Sequence, residues 1–154
     1  MEKTEVLIAY GTRYGATAST SKEIANVLQA EGLEVKVVNL KEEKVKDISK
    51  FKLVIIGSGM KMDMWTSVAK AFLKKFSSEL KNKKVAIFVS SAGRALLEYK
   101  GETDEIDRIT KKYLEDKANK YNLNPISMTM FGGIWDYNQM GRIFKKALDA
   151  EKEN

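Results

Sequence analysis

Five apolar runs mark the chain, and amphipathic stretches lie between them. "EVLIAY" (5–10), "KLVIIG" (52–57) and "KVAIFVSS" (84–91) are continuous runs of the length of a strand buried on both faces. "EVKVVNL" (34–40) alternates, and "PISMTMFGG" (125–133) completes the set, with Pro125 at a strand start where its missing N–H is tolerated. Residues 17–32 place Ile24, Ala25, Val27 and Leu28 at helical spacing, with Gly32 as a stop. Residues 66–80 line up Val68, Ala69, Phe72, Leu73 and Phe76 on one helical face. Residues 102–122 carry acids first and bases later, the order a helix dipole favours, and residues 137–150 read as a closing helix. Residues 41–51 read as a polar connection. Strand and helix alternate throughout, which predicts an α/β fold: one domain over residues 1–154, built on a doubly wound, five-stranded parallel sheet with helices on both faces. Right-handed crossovers leave two common strand orders.

In such a sheet, ligands bind beyond the carboxyl ends of the strands, where the winding reverses. Three loops therefore matter most: "GTRYGAT" after the first strand, "SGMKMDMW" after the third and "SAGRALLEYKGETD" after the fourth.

Composition narrows the chemistry. The chain has no cysteine and no histidine, which removes thiolate chemistry, disulfides, the Ser–His triad and most zinc sites. Chemistry is then expected from a bound cofactor, with no catalytic side chain and no metal. The net charge of +6 comes from lysines scattered over helix ends and loops, with no dense basic block interleaved with aromatics, so nucleic acid is not the expected partner. No apolar run approaches the roughly 20 residues that span a bilayer. Peripheral contact with an anionic surface stays open. The opening "MEKTEVLIAY" runs straight into a strand pattern, and a cytoplasmic chain is the expectation.

The first loop combines hydroxyls and glycines at a helix start: Thr12, Tyr14, Thr17 and Ser19 with Gly11 and Gly15. Free amides and hydroxyl donors there make an anion site. The Rossmann spacing fails on Gly11 and Gly15, and the P-loop fails for want of a Gly-Lys pair. A phosphoacceptor receiver needs an aspartate at the end of the third strand, where this chain has Gly57-Ser58. The remaining match resembles the flavodoxin phosphate loop T/S-x-T-G-x-T. Thr12, Gly15 and Thr17 match it, Arg13 and Ala16 fill its variable positions, and Tyr14 stands in place of the usual threonine.

"YGTRYGAT", "VIIGSGMKMDMWTSVAKAFLKKF" and "FGGIWDYNQMGRIFKKAL" together resemble the flavodoxin-domain family that includes quinone-dependent protoporphyrinogen dehydrogenases. The pattern F-x-G-x-x-D-Y is met by Phe131, Gly133, Asp136 and Tyr137. The resemblance covers nearly the whole chain. It implies the strand order 2-1-3-4-5, FMN as cofactor and a redox activity. It implies that residues Thr12, Arg13, Tyr14, Gly15, Ala16 and Thr17 hold the FMN phosphate. Ser58, Gly59, Met60, Lys61 and Met62 would border the flavin ring, with Trp65 stacking on it or shielding its edge. Methionine suits that surface through sulfur–aromatic contacts. Backbone groups of the loop Ser90, Ser91, Ala92 and Gly93 would meet the pyrimidine edge, and Trp135 would line the same edge of the sheet.

Alternatives stand beside these assignments, the first being an ordinary β-α turn with a hydroxyl N-cap at the first loop. Met60, Met62 and Met64 would then form an extended segment against the next helix, with Trp65 closing the core. Trp135 and Tyr137 would pack the last helix, with Asp136 or Asn138 as its N-cap. Two flavoprotein readings remain. One is an FMN electron carrier between proteins, and the positive charge suits partners with acidic surfaces. The other is an enzyme that oxidises a porphyrinogen-like substrate and reduces quinone. A flavin-free module on the same fold is the third.

Overall fold

The computed structural model describes residues 5–13, 15–132 and 137–152. Five strands lie parallel: β1 (Glu5–Gly11), β2 (Glu34–Asn39), β3 (Leu53–Lys61), β5 (Lys84–Ser90) and β6 (Ser127–Phe131). Their order is β2-β1-β3-β5-β6, and a short β4 (Met64–Trp65) pairs with β3 alone. Setting β4 aside, this is the order 2-1-3-4-5 expected from the resemblance. Among the described residues, six α-helices connect the strands: α1 (Ala16–Ala30), α2 (Ser67–Leu80), α3 (Ala92–Lys100), α4 (Thr103–Thr110), α5 (Asp116–Lys120) and α6 (Tyr137–Lys152).

Successive side chains on a strand point to opposite faces, so each apolar run feeds two cores. Val6, Ile8, Leu53, Ile55 and Phe88 pack beneath α1 and α6, with Ile24, Leu28, Phe144 and Leu148. Leu7, Ala9, Val54, Ile56 and Ile87 pack on the other face, with Phe72, Leu73 and Phe76 of α2 and Leu114 beyond α4. Gly57 is required by this packing. A Cβ there would lie 2.1 Å from the Phe88 ring, which itself meets Phe131 edge-on at 5.6 Å.

Two segments depart from the sequence expectation. Residues 92–100 form α3 where the sequence suggests a loop. Arg94 and Glu98 pair at 2.9 Å across one turn, and Gly101 ends the helix at φ 72, its N–H donating to the Glu98 and Leu97 carbonyls. The second departure is "SGMKMDMW". β3 continues past Gly57 to Lys61, turns at Met62 and Asp63, and returns as β4, pairing Lys61 with Met64 and Met60 with Trp65. Both turn residues have positive φ, 52° and 62°. A tight hairpin turn of this hand matches the strand twist and ordinarily takes Asn-Gly.

The hairpin is bolted to a widened helical turn. Between α4 and α5, residues Lys111–Glu115 form a π turn, in which the Asp116 N–H reaches the Lys111 carbonyl five residues back. The Trp65 indole N–H donates to the Tyr113 carbonyl at 2.8 Å. The Tyr113 phenol and the Lys112 ammonium both donate to the Asp63 carboxylate, the latter at 3.2 Å. At the hairpin root Ser58 is fully buried. Its hydroxyl accepts the Thr66 N–H at 2.9 Å, donates to the Gly59 carbonyl at 2.9 Å and lies 3.2 Å from the Thr66 hydroxyl. Thr66 in turn caps α2.

Two outcomes follow. Gly57→Ala forces a methyl into Phe88 and should destabilise the fold by about 1–3 kcal/mol in a denaturant titration. The second concerns acid. The Tyr113 phenol first and the Lys112 ammonium next hold the Asp63 carboxyl below the usual carboxylate range. A depressed carboxylate stabilises above its unfolded pKa of about 4 and loses that contribution as pH falls further. Amide-exchange protection of residues 62–65 should therefore drop on acidification below about pH 4. In Asp63→Asn it should already be low at neutral pH.

Candidate functional site

The carboxyl ends of β1, β3 and β5 bring the three predicted loops to one edge of the sheet. The first loop leaves Gly11 and enters α1 through Gly15, whose φ of 90° only glycine adopts without strain. The Gly15 N–H donates to the Thr12 hydroxyl at 2.9 Å, which draws the loop into a tight turn before the helix. Among the described residues, no side chain caps α1, and its first turn holds no acid. α3 begins at the same edge under the same conditions. α2, between them, is capped by Thr66. Two helix starts therefore keep amides and partial positive charge for an outside anion.

The second loop approaches the first closely. A Cβ on Gly59 would lie 3.2 Å from Thr17 Oγ1 and 3.3 Å from the Arg13 backbone nitrogen. Thr17 is buried, and its carbonyl accepts the Ser21 hydroxyl at 2.8 Å. Arg13 reaches across, and its guanidinium donates to the Trp65 carbonyl at 3.2 Å. A cation thus bridges the first loop and the hairpin. The third side begins at Ser90, whose buried hydroxyl has no hydrogen-bond partner among the described residues. Ser91 follows, its N–H donating to the Phe131 carbonyl at 2.9 Å, and Ala92 and Gly93 form the first turn of α3.

Several sequence assignments change here. Trp65 is 1% exposed, and its indole N–H is committed to Tyr113, so the ring closes a core and has no face free for stacking. The cause is the register, because the position opposite Met60 faces inward. Met60 is partly buried against the same core. The Ser58 hydroxyl is consumed within the hairpin root, and the residue itself lies in register between Gly11 of β1 and Val89 of β5. Ala92 and Gly93 belong to a helix rather than to a loop. Lys61 and Met62 stay exposed at the tip. Thr12, Arg13, Gly15, Ala16 and Thr17 lie in the passage from β1 into α1, while Tyr14 and Trp135 lie outside the described residues. Gly133 and Asp136 of the F-x-G-x-x-D-Y pattern also lie outside them.

Sequence reasoning missed Tyr113 and Lys112. Tyr113 lies 50 positions beyond Asp63, and no local pattern joins them.

The donor set suits a phosphate-bearing group: open helix starts, threonine hydroxyls, one guanidinium and a buried hydroxyl without a partner among the described residues. No cluster of acidic side chains fit to hold a metal ion occurs among the described residues. No described helix is long and apolar enough to cross a membrane.

Several solved structures share the fold. Rubredoxin oxygen:oxidoreductase from Desulfovibrio gigas is 18% identical with a TM-score of 0.72, over 99% of this chain. The match spans only 38% of that longer protein. The two-electron reduced flavodoxin of Megasphaera elsdenii is 21% identical with a TM-score of 0.64, over 92% of this chain and 98% of its own. A flavodoxin mutant of Fusobacterium nucleatum, bound to flavin mononucleotide, is 23% identical with a TM-score of 0.50, over 60% of this chain and 54% of its own. Identities this low speak for the fold alone. No curated protein matches by sequence. The flavodoxin-domain family model matches residues 7–150, and the chain belongs to that family.

Proposed function

We propose that this chain is an FMN-binding electron carrier working between protein partners in the cytoplasm. The observation that carries the reading is the uncapped start of α1 behind Thr12, Gly15 and Thr17, in a chain of the flavodoxin-domain family. Bound FMN supplies the redox chemistry, because its ring takes up and releases electrons. The protein binds and orients it. Thr12, Thr17 and the amides of residues 15–17 hold the phosphate, and Arg13 adds the charge. Gly59, Lys61 and Met62 of the hairpin and Ser91, Ala92 and Gly93 at the start of α3 would border the FMN ring. Gly59 lets the hairpin backbone approach closely. The Ser90 hydroxyl offers a donor at the same edge. The partners carry acidic surfaces, in keeping with the net charge of +6.

Purified protein should show flavin absorption, or the apoprotein should take up FMN. FMN should bind far more tightly than riboflavin, which has the same ring without the phosphate. Thr12→Ala should weaken FMN by about 0.5–1.5 kcal/mol while leaving riboflavin nearly unchanged. Equal affinity for FMN and riboflavin would place the ligand elsewhere. The charge also bears on potential. A basic protein opposes negative charge on the reduced flavin less than an acidic flavodoxin does. Its potential, measured in an anaerobic titration, should be the less negative of the two. A potential at or below that of an acidic flavodoxin would show that local acids such as Asp63 outweigh the net charge, whose reach is only about 8–10 Å.

A further inference from the structure

The net charge of +6 is concentrated in one part of the fold. Ten of the 27 basic residues and four of the 21 acidic ones lie in residues 40–52 and 74–84, which together carry +6. The remaining 17 basic and 17 acidic residues cancel. The first segment is the loop from β2 to β3, and the second is the later half of α2 with its exit into β5. Lysines that look scattered along the sequence are gathered here by tertiary contacts.

Three bonds join the two segments. The Lys75 ammonium donates to the Val45 carbonyl at 3.0 Å. The Lys83 ammonium donates to the Ser49 and Phe51 carbonyls at 3.3 and 2.8 Å. Lys44 and Lys46 flank Val45, Lys50 and Lys52 flank Phe51, and Lys74, Lys81 and Lys84 stand one or two residues from Lys75 or Lys83. A carbonyl accepts a hydrogen bond but cancels no charge. Among the described residues, Lys50 alone of these nine lysines forms an ion pair, with Glu5 at 3.8 Å. Of the acids in the two segments, Glu43 pairs with Lys36 outside them, and the Asp47 carboxylate accepts from Ser49 and feels Lys83. The patch reaches the amino ends of β3 and β5, where Lys84 stands in register with Leu53. The candidate site lies at the other end of β3, since Leu53 and Gly59 are separated by about 20 Å of strand.

We propose that this lysine face seats the chain on an anionic lipid bilayer, with the candidate site turned to the aqueous side. The proposal does not require the carrier reading and holds for the apoprotein as well. Clusters of about 4–8 basic residues draw proteins to phosphatidylserine-rich surfaces, and this one passes that count. A bilayer presents a diffuse field of phosphates and carboxylates, which lysine meets as a flexible point charge. Arginine, which grips single phosphates bidentately, is absent from both segments. A protein partner fits less well, because interface cores are apolar and poor in lysine. Among the described residues, the exposed large apolar side chains, Val37, Met62, Met64, Tyr99 and Met128, all lie outside the two segments. Nucleic acid also fits less well, because the rings of Phe51, Phe72 and Phe76 are buried and offer no face for base stacking.

The test floats the full chain, with and without FMN, on vesicles of phosphatidylcholine alone or with about 30% phosphatidylserine. Binding should need phosphatidylserine and fall about tenfold or more between about 50 and 300 mM salt. Lys46→Glu/Lys81→Glu should weaken it about 25-fold or more, at about fivefold for each lysine lost. Lys22→Glu/Lys146→Glu makes the same change of charge on α1 and α6, across the sheet, and should weaken it less than about threefold. The unmutated protein gives an independent reading through lysine acetylation. Vesicles should shield the exposed Lys44, Lys46, Lys74 and Lys81 and leave Lys22, Lys61 and Lys146 reactive. No binding to phosphatidylserine vesicles at about 100 mM salt, equal losses in the two double variants, or shielding of Lys61 in place of the patch would overturn the proposal. Tighter binding of a duplex oligonucleotide or of acidic rubredoxin at the same salt would also overturn it, assigning the face to nucleic acid or to a protein.

Discussion

The bond from the Trp65 indole to the Tyr113 carbonyl ties β4 to a helix far along the chain. An indole N–H buried without a partner costs roughly 1–3 kcal/mol, so this ring can sit in the core only because a carbonyl awaits it. The π turn widens the helix at Tyr113, where the tryptophan and Asp63 both engage the same residue. With the ring anchored, the backbone around it is placed. The Trp65 carbonyl meets Arg13 of the first loop, Met60 folds inward, and Met62 and Asp63 take up the turn.

The site edge follows from helix starts left open. α2 closes its amides with Thr66, while α1 and α3 have neither a side-chain cap among the described residues nor an early acid. Helix starts that lack compensation favour a negative group, and the first loop surrounds one of them with hydroxyls and a guanidinium. Ordinary stability would place aspartate or glutamate at these positions. Their absence leaves room for a ligand phosphate.

The buried polar web at the root of the hairpin serves a similar end. Ser58 and Thr66 satisfy each other and the local backbone without reaching the edge. A serine on a loop reads as a ligand donor when only neighbours in sequence are visible. Its actual partner, Thr66, is eight positions away and arrives only when the hairpin closes.

Local chemistry was enough for the strands, for the helices other than α3 and for the turn after the first strand. Apolar strand runs, helical spacing and a threonine–glycine turn act over a few residues, and the chain states them directly. The strand order came from resemblance, and the two winding orders are not separable by periodicity. The hairpin and the burial of Trp65 were decided by tertiary structure. "SGMKMDMW" carries no Asn-Gly turn, and its strand continues only because Asp63 and Trp65 find partners some 50 residues away. Whether a methionine lies inside or outside is a matter of register, and a two-residue turn set that register.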